Sequence, residues 1–145
     1  MSKASPQIQE LARRLLVRES SPDSSPDENT DVVLQVIAEL RTRLVRLAGL
    51  QGFRSLLLRA LTLARAEIPS LASVQVLADG SLDGFDKIDR SHEANEREAA
   101  GILLVARLLE LLVTFIGTPL TLRLLRDKWP DVSIEETALS IEEKP

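Results

Sequence analysis

The chain has 145 residues, with 18 Lys and Arg against 22 Asp and Glu, a formal net charge of −4, one His and no Cys. This length corresponds to about one domain, and the lack of Cys excludes disulfide frameworks, thiolate zinc sites and Cys nucleophiles. A single His excludes a His-rich metal site, and the acidic balance argues against nucleic acid, whose phosphates bind clustered Lys and Arg. The composition predicts a soluble, Leu-rich, helical domain.

The N-terminal part of the chain predicts a helix followed by a linker. The helix is expected over about 6–18, with Ser5 as its cap and Pro6 at its first position. Its apolar residues follow helical spacing: Ile8, Leu11, Ala12, Leu15 and Leu16. The next stretch, SSPDSSPDENT at 20–30, contains no apolar residue, which is typical of a flexible linker.

This linker divides the chain into parts. We expect an N-terminal helical arm at 1–19, the linker at 20–30, a helical core domain at 31–130 and an acidic tail at 131–145. The arm is expected to dock either on the core or on another chain, and the core domain to fold without it. No apolar segment with a cleavage site follows the N-terminus, so we expect a cytoplasmic protein.

Two helices are predicted next, over 31–47 and 53–67, with a break or kink at 48–52 where two Gly lie three residues apart. The apolar face of the first is expected to consist of Val33, Val36, Ile37, Leu40, Leu44 and Leu47. Arginines occupy the other faces of the two helices: Arg41, Arg43, Arg46, Arg54, Arg59 and Arg65. With almost no aromatic residues to stack on bases, we interpret these arginines as polar helix faces, not as a nucleic-acid site.

The segment 71–90 contains turn signals. Val74 and Val76 alternate with polar residues before Asp79-Gly80, which predicts a short β-hairpin pairing 73–78 with 81–85, with an irregular loop as the alternative. Four residues also fit the start of an EF-hand calcium loop: Asp79, Ser81, Asp83 and Gly84. Asp86 and Arg90 then stand where that loop needs an apolar residue and a bidentate Glu, so we favour a simple turn.

The longest predicted helix covers about 92–116 and is apolar on almost every side from Ile102 onward. The exceptions are Arg107, Glu110 and Thr114, which form one narrow polar stripe. We expect this helix to be buried at the centre of the core. Its apolar stretch is shorter than a membrane span of about 20 residues and two charges interrupt it, so we expect no membrane span.

His92 stands at the start of this helix, in the sequence HEANE. One His with Glu93 and Glu96 on one helical turn would suit a divalent-metal site, and an exposed His would suit a phosphoacceptor. A helical phosphotransfer domain would have Lys and Gly where Glu96 and Arg97 stand. We favour a solvated first turn whose acidic residues suit the helix dipole.

A last helix begins at Thr118-Pro119 and is closed by Trp129-Pro130. The tail at 131–145 contains five acidic residues against Lys144. Its apolar residues show weak periodicity: Ile134, Leu139 and Ile141. We expect the tail to be frayed or to form a short docking helix.

Together these elements predict an all-α fold, a four- to five-helix bundle. No Ser has a base beside it in a known motif and no Gly-rich phosphate loop exists, so we expect neither an enzyme nor a cofactor. The best candidates for interface or ligand contacts are Arg107, Glu110, Thr114 and Trp129. Arg107 and Glu110 are either a buried pair or part of a solvent-exposed stripe, and the sequence favours the exposed stripe.

Two functions are consistent with this sequence. The first is a non-enzymatic protein-interaction or regulatory module that docks apolar helix faces on another protein or on a second copy in a homodimer. The alternative is a helical bundle that binds a small apolar ligand near Arg107 and Glu110. An exposed patch of Leu and Val would favour the first function, and an enclosed pocket beside the long helix would favour the second.

Overall fold

A computed structural model describes residues 6–19, 29–84, 94–130 and 132 of the chain. The elements in these ranges are, in order, α1 (Pro6–Glu19), α2 (Asn29–Glu67), a 3₁₀ helix (Pro69–Ser73), β1 (Gln75–Val76), β2 (Leu82–Asp83), α3 (Ala94–Ile116) and α4 (Thr118–Lys128). The predicted all-α fold with a short hairpin is confirmed. The first predicted residues of α3 lie outside the described ranges, as does the tail apart from Val132.

Helix α3 lies at the centre of the core and packs against α1, α2 and α4. The middle of α3 is apolar and buried on nearly every side. Its buried apolar residues are Ala100, Leu103, Leu104, Val105, Ala106, Leu108, Leu109 and Leu112. This burial confirms the prediction of a long central helix. It also leaves α3 dependent on three neighbours, since no single helix can cover all of its faces.

Helix α1 packs against α3 and α2 and belongs to this core. The four residues Ile8, Leu11, Ala12 and Leu15 have at most 1% of their surface exposed. These are four of the five positions that the helical spacing assigned to one apolar stripe, and the fifth, Leu16, is half-buried. The N-terminal helix was expected to dock on the core or on another chain, and in the structure it docks on the core of its own chain.

Helix α2 contains both helices predicted between 31 and 67, joined at a kink. Gly49 has φ 79° and ψ 169°, a backbone conformation that side-chain-bearing residues rarely adopt, so the break falls where two Gly were expected to cause it. Leu47, predicted to belong to the apolar face, is instead exposed. That prediction was wrong because helical spacing assumes a continuous partner surface, and α2 changes direction only two residues after Leu47.

The hairpin pairs β1 and β2 in antiparallel register, with Gln75 opposite Asp83 and Val76 opposite Leu82. The pairing lies within the predicted segments and confirms the hairpin. Two glycines are required by its geometry. Gly80 has φ 85°, and a Cβ there would lie 3.3 Å from atoms of Leu50 and Phe53 on α2. Gly84 has φ 92°, and a Cβ there would collide with the Ser73 carbonyl oxygen.

Candidate functional site

Arg107 is buried in the middle of α3, with only 6% of its surface exposed. Its Nη2 donates to Glu67 Oε2 at 2.5 Å, and its Nη1 donates to Glu110 Oε1 at 3.0 Å. Glu67 is the last residue of α2, so this cluster ties the end of α2 to the centre of α3. The favoured interpretation of Arg107 and Glu110 as a solvent-exposed stripe was wrong, because the end of α2 covers it.

The other two candidate residues have structural contacts of their own. Thr114 is exposed, and its hydroxyl donates to the carbonyl of Glu110 one turn earlier, at 3.0 Å. Thr residues on helices commonly make this hydrogen bond. Trp129 is buried at the end of α4, and its backbone N–H donates to the Leu125 carbonyl at 2.8 Å. The structure therefore brings together Arg107 and Glu110 but gives Thr114 and Trp129 local roles.

The cluster of Glu67, Arg107 and Glu110 is suited to fixing two helices in place. Both terminal nitrogens of Arg107 already donate to carboxylates, so an anionic ligand would have to displace Glu67 or Glu110. Sequence reasoning missed Glu67, since a Glu at a helix end is too common to single out. Glu67 and Arg107 are 40 residues apart in the sequence, and they meet only because α2 packs against α3.

Replacing Arg107 with Met is expected to lower the free energy of unfolding by about 2 to 3 kcal/mol. Removing one partner of a fully buried ion pair costs roughly 3 to 5 kcal/mol, and the loss is smaller here because Glu67 and Glu110 retain contact with solvent. Urea denaturation measures the difference, with the exposed Arg59→Met as the matched control. Adding Glu67→Gln and Glu110→Gln to Arg107→Met should recover much of the loss. An Arg107→Met midpoint equal to that of the parent would show that the cluster contributes nothing to stability.

The turn of the hairpin accounts for the residues that resembled a calcium loop. Asp79 Oδ1 accepts hydrogen bonds from the Ser81 hydroxyl at 2.6 Å and from the Ser81 backbone N–H at 3.0 Å. These bonds lower the pKa of the Asp79 carboxyl. Within the described ranges, no three His, Asp or Glu residues are grouped to hold a metal ion. The residues considered for a metal or phosphate site on the long helix, His92, Glu93 and Glu96, lie outside the described side chains. The same is true of Asp86, Arg90 and Arg97, which depart from the calcium-loop and phosphotransfer patterns.

Three of the arginines on α2 hold the hairpin segment in place. Arg41 Nη1 donates to the Asp79 carbonyl at 3.3 Å, and Arg54 Nε donates to the Leu77 carbonyl at 3.1 Å. Arg65 donates to the carbonyls of Leu71 at 3.3 Å and of Val74 at 2.5 Å. The acceptors are backbone carbonyls of the segment 71–79 outside the two strands, so the arginines connect α2 to the ends and turn of the hairpin. Part of the basic character of α2 is thus structural.

Four leucines on α2 and the docked hairpin remain exposed: Leu47 (51%), Leu50 (37%), Leu58 (49%) and Leu77 (41%). We name these four residues the leucine patch. Leu50 and Leu58 lie on the same face of α2 with Arg54 between them, since residues four apart are neighbours on a helix. The hydrogen bond from Arg54 to the Leu77 carbonyl brings the hairpin to this face, and Leu47 lies three residues before Leu50, on the other side of the kink at Gly49.

The surroundings of the leucine patch are positively charged. Helix α2 contains six Arg and no acidic residue from 40 to 66, between Glu39 and Glu67. Arg46 and Arg59 are exposed and follow or precede a patch leucine directly in the sequence. Asp79, in the hairpin turn, is the nearest carboxylate in sequence to Leu77, and Arg41 donates to its backbone. The patch is therefore an apolar surface with a largely basic rim.

Two further features bear on the alternatives. In α3, the segment Ala99–Ile116 has a mean hydropathy of 2.2 over 18 residues, long and apolar enough to cross a membrane, and 56% of it is buried inside the fold. A core helix of a soluble protein passes the same test. On α4, an open groove of about 520 Å³ is lined by Pro119, Leu122, Arg123, Arg126 and Asp127. None of the predicted ligand residues lines this groove.

Comparisons with known proteins identify no relative. The chain matches no protein-family model, no curated protein and no solved structure. Its function is therefore inferred from its own residues. The contact between α2 and α3 accounts for the Arg107 cluster, whereas helix packing does not account for the leucine patch.

Proposed function

We propose that this chain is a non-enzymatic protein-interaction module, and that its leucine patch binds an acidic amphipathic helix of a partner protein. The observation that carries the proposal is that four of the six exposed large apolar side chains in the described residues lie on α2 and the hairpin docked on it, where α2 is rich in arginine. Single exposed leucines are ordinary on protein surfaces. Several on one face, rimmed by polar residues, are typical of an interaction site.

The chemistry of the patch favours a helical partner with carboxylates. Leu50 and Leu58 follow a helical face, and an amphipathic helix can lay its own apolar stripe along such a surface. Arg46, Arg54 and Arg59 stand where carboxylates of that helix would meet them. Such charges increase the association rate and select among partners more than they add to affinity.

Two other occupants fit this surface less well. In a symmetric dimer the same patch faces itself, so Arg46, Arg54 and Arg59 would be brought near their own copies, and like charges oppose such an interface. This disfavours the homodimer through this surface. Single-stranded nucleic acid would need exposed aromatic side chains for stacking, and Phe53, the aromatic residue of α2, is fully buried.

The proposal predicts selective binding of an acidic amphipathic peptide. The probe is a labelled synthetic helix with Leu at positions i, i+4 and i+7 and Glu elsewhere, titrated with the full chain and followed by fluorescence anisotropy. The double variant Leu47→Ser/Leu58→Ser is expected to weaken binding by about tenfold or more, because burying one Leu contributes roughly 1.5 to 3 kcal/mol. These two leucines are the most exposed of the patch, so their replacement should leave the fold intact.

Matched controls distinguish binding at the leucine patch from non-specific hydrophobic binding. Val17→Ser/Phe115→Ser removes two equally exposed apolar side chains outside the patch and should leave binding unchanged. A peptide with Lys in place of Glu should bind much more weakly. Equal binding of the two peptides, or full binding by Leu47→Ser/Leu58→Ser, would refute the proposal. Dimers, or binding of single-stranded RNA, that Leu47→Ser/Leu58→Ser abolishes would also refute the proposal and would identify a second copy or RNA as the occupant of the patch.

A further inference from the structure

The acidic tail starts close to the leucine patch. At the end of α4, Lys128 Nζ lies 3.5 Å from Glu39 Oε2, and Asp127 Oδ2 lies 3.9 Å from Arg43 Nε. Arg43 and Leu47 are four residues apart on α2, about 6 Å along the helix axis and on the same side. The end of α4 therefore lies beside Glu39 and Arg43, about one helical turn before the first leucine of the patch.

The tail is long enough to cover the patch from this starting point. Residues 133–145 would span about 20 Å as a helix and about 43 Å when extended. The distance from Arg43 to Leu58, the last patch residue on α2, is about 22 Å along a straight helix, and the kink at Gly49 lies between them. Val132, the last residue that the structure describes, is half-buried and donates to the Trp129 carbonyl at 3.2 Å.

The tail also has the chemistry that the patch is proposed to bind. Its sequence places Ile134, Ala138 and Ile141 at helical spacing i, i+4 and i+7. Ser133 and Glu136 have the S-x-x-E spacing that starts helices. The remaining positions carry an excess of acid, with Glu135, Glu136, Glu142 and Glu143 against Lys144. The tail sequence thus has the acidic amphipathic pattern that suits an apolar surface rimmed by arginines.

We infer that residues 133–145 dock on the leucine patch of their own chain and compete there with the partner helix. The competition rests on the proposed function, whereas the contact within the chain does not. Because the tail is tethered, its effective concentration at the patch is in the millimolar range, enough for a weak contact to be well populated. A partner then binds only the fraction of molecules whose patch is open, which lowers its apparent affinity.

The contact can be measured directly in the full chain, which has no Cys to interfere with labelling. A nitroxide attached to Ser140→Cys should broaden the amide signals of Gln51, Ser55 and Thr62, exposed residues of α2 around the patch. The broadening should disappear in the background of Leu47→Ser/Leu58→Ser and persist in the background of Val17→Ser/Phe115→Ser. Absence of broadening, or broadening that the patch variant leaves unchanged, would overturn the inference.

The competition has its own readout. Ile134→Ser/Ile141→Ser in the full chain should raise the affinity for the acidic peptide by about tenfold if the tail occupies nine patches in ten. Patch-dependent broadening without peptide binding would support the tail contact and refute the proposed function. The opposite result is peptide binding that requires the patch leucines, is equal in the parent and in Ile134→Ser/Ile141→Ser, and is accompanied by no broadening. It would support the proposed function and overturn the tail inference.

Discussion

Leu109→Asp is expected to abolish the folded state. Leu109 is fully buried in the middle of α3, the helix that contacts α1, α2 and α4. Losing the packing of a buried Leu costs about 2 to 5 kcal/mol, and a carboxylate buried without a partner adds several more. The total stability of a domain is only about 5 to 15 kcal/mol. Circular dichroism during thermal and urea denaturation should show no cooperative transition.

The matched control lies six residues further along the same helix. Phe115 is exposed, so Phe115→Asp introduces the same carboxylate without burying it, and its melting curve should stay close to that of the parent. Leu109→Ala gives a milder version, with an expected loss of about 2 to 5 kcal/mol. A Leu109→Asp variant that is helical and melts cooperatively would show that α3 is not the centre of the core.

Deleting residues 1–28, which removes α1, is the second change with a large expected effect. The sequence suggested that the rest of the chain would fold without this part. In the structure α1 buries three large apolar side chains and one Ala against α3 and α2. Burying the three large ones contributes roughly 5 to 9 kcal/mol before the cost of ordering the helix is subtracted. Because the deletion also uncovers the face of α3 beneath α1, we expect the cooperative transition to be lost.

A synthetic peptide of residues 1–19 provides the control for this deletion. Added to the truncated chain, it should restore a cooperative transition that depends on peptide concentration, since a ligand of the folded state stabilises it by mass action. A peptide with Ser at Leu11 and Leu15 should not. A truncated chain with the urea midpoint of the parent would show that α1 is a dispensable arm.

Helix positions and the hairpin could be predicted because their signals are local. Pro6 marks the start of α1, Trp129-Pro130 marks the end of α4, and Asp79-Gly80 marks the hairpin turn. The kink of α2 followed from two nearby glycines, of which Gly49 adopts the unusual backbone conformation. In each case the residue restricts its own backbone or that of its neighbours, and no tertiary contact is needed.

The contacts between elements could not be predicted in this way. Periodicity shows which face of a helix is apolar, but it does not show which element covers that face. Arg107 was therefore expected on an exposed stripe, although Glu67, 40 residues away, meets it in the folded chain. Leu47 was expected in the core, although the kink leaves it on the surface. The leucine patch could be recognised only from the structure, which shows where α2 bends and where the hairpin docks on it.

The most direct test of the proposed role of the leucine patch is a native mass spectrum of the untagged full chain, recorded alone and with the acidic amphipathic peptide. We predict the mass of one chain alone, and the mass of one chain with one peptide after addition. The adduct should be absent with Leu47→Ser/Leu58→Ser. A stable mass of two chains that Leu47→Ser/Leu58→Ser converts to one would contradict the prediction and identify a second copy of the chain as the occupant of the patch.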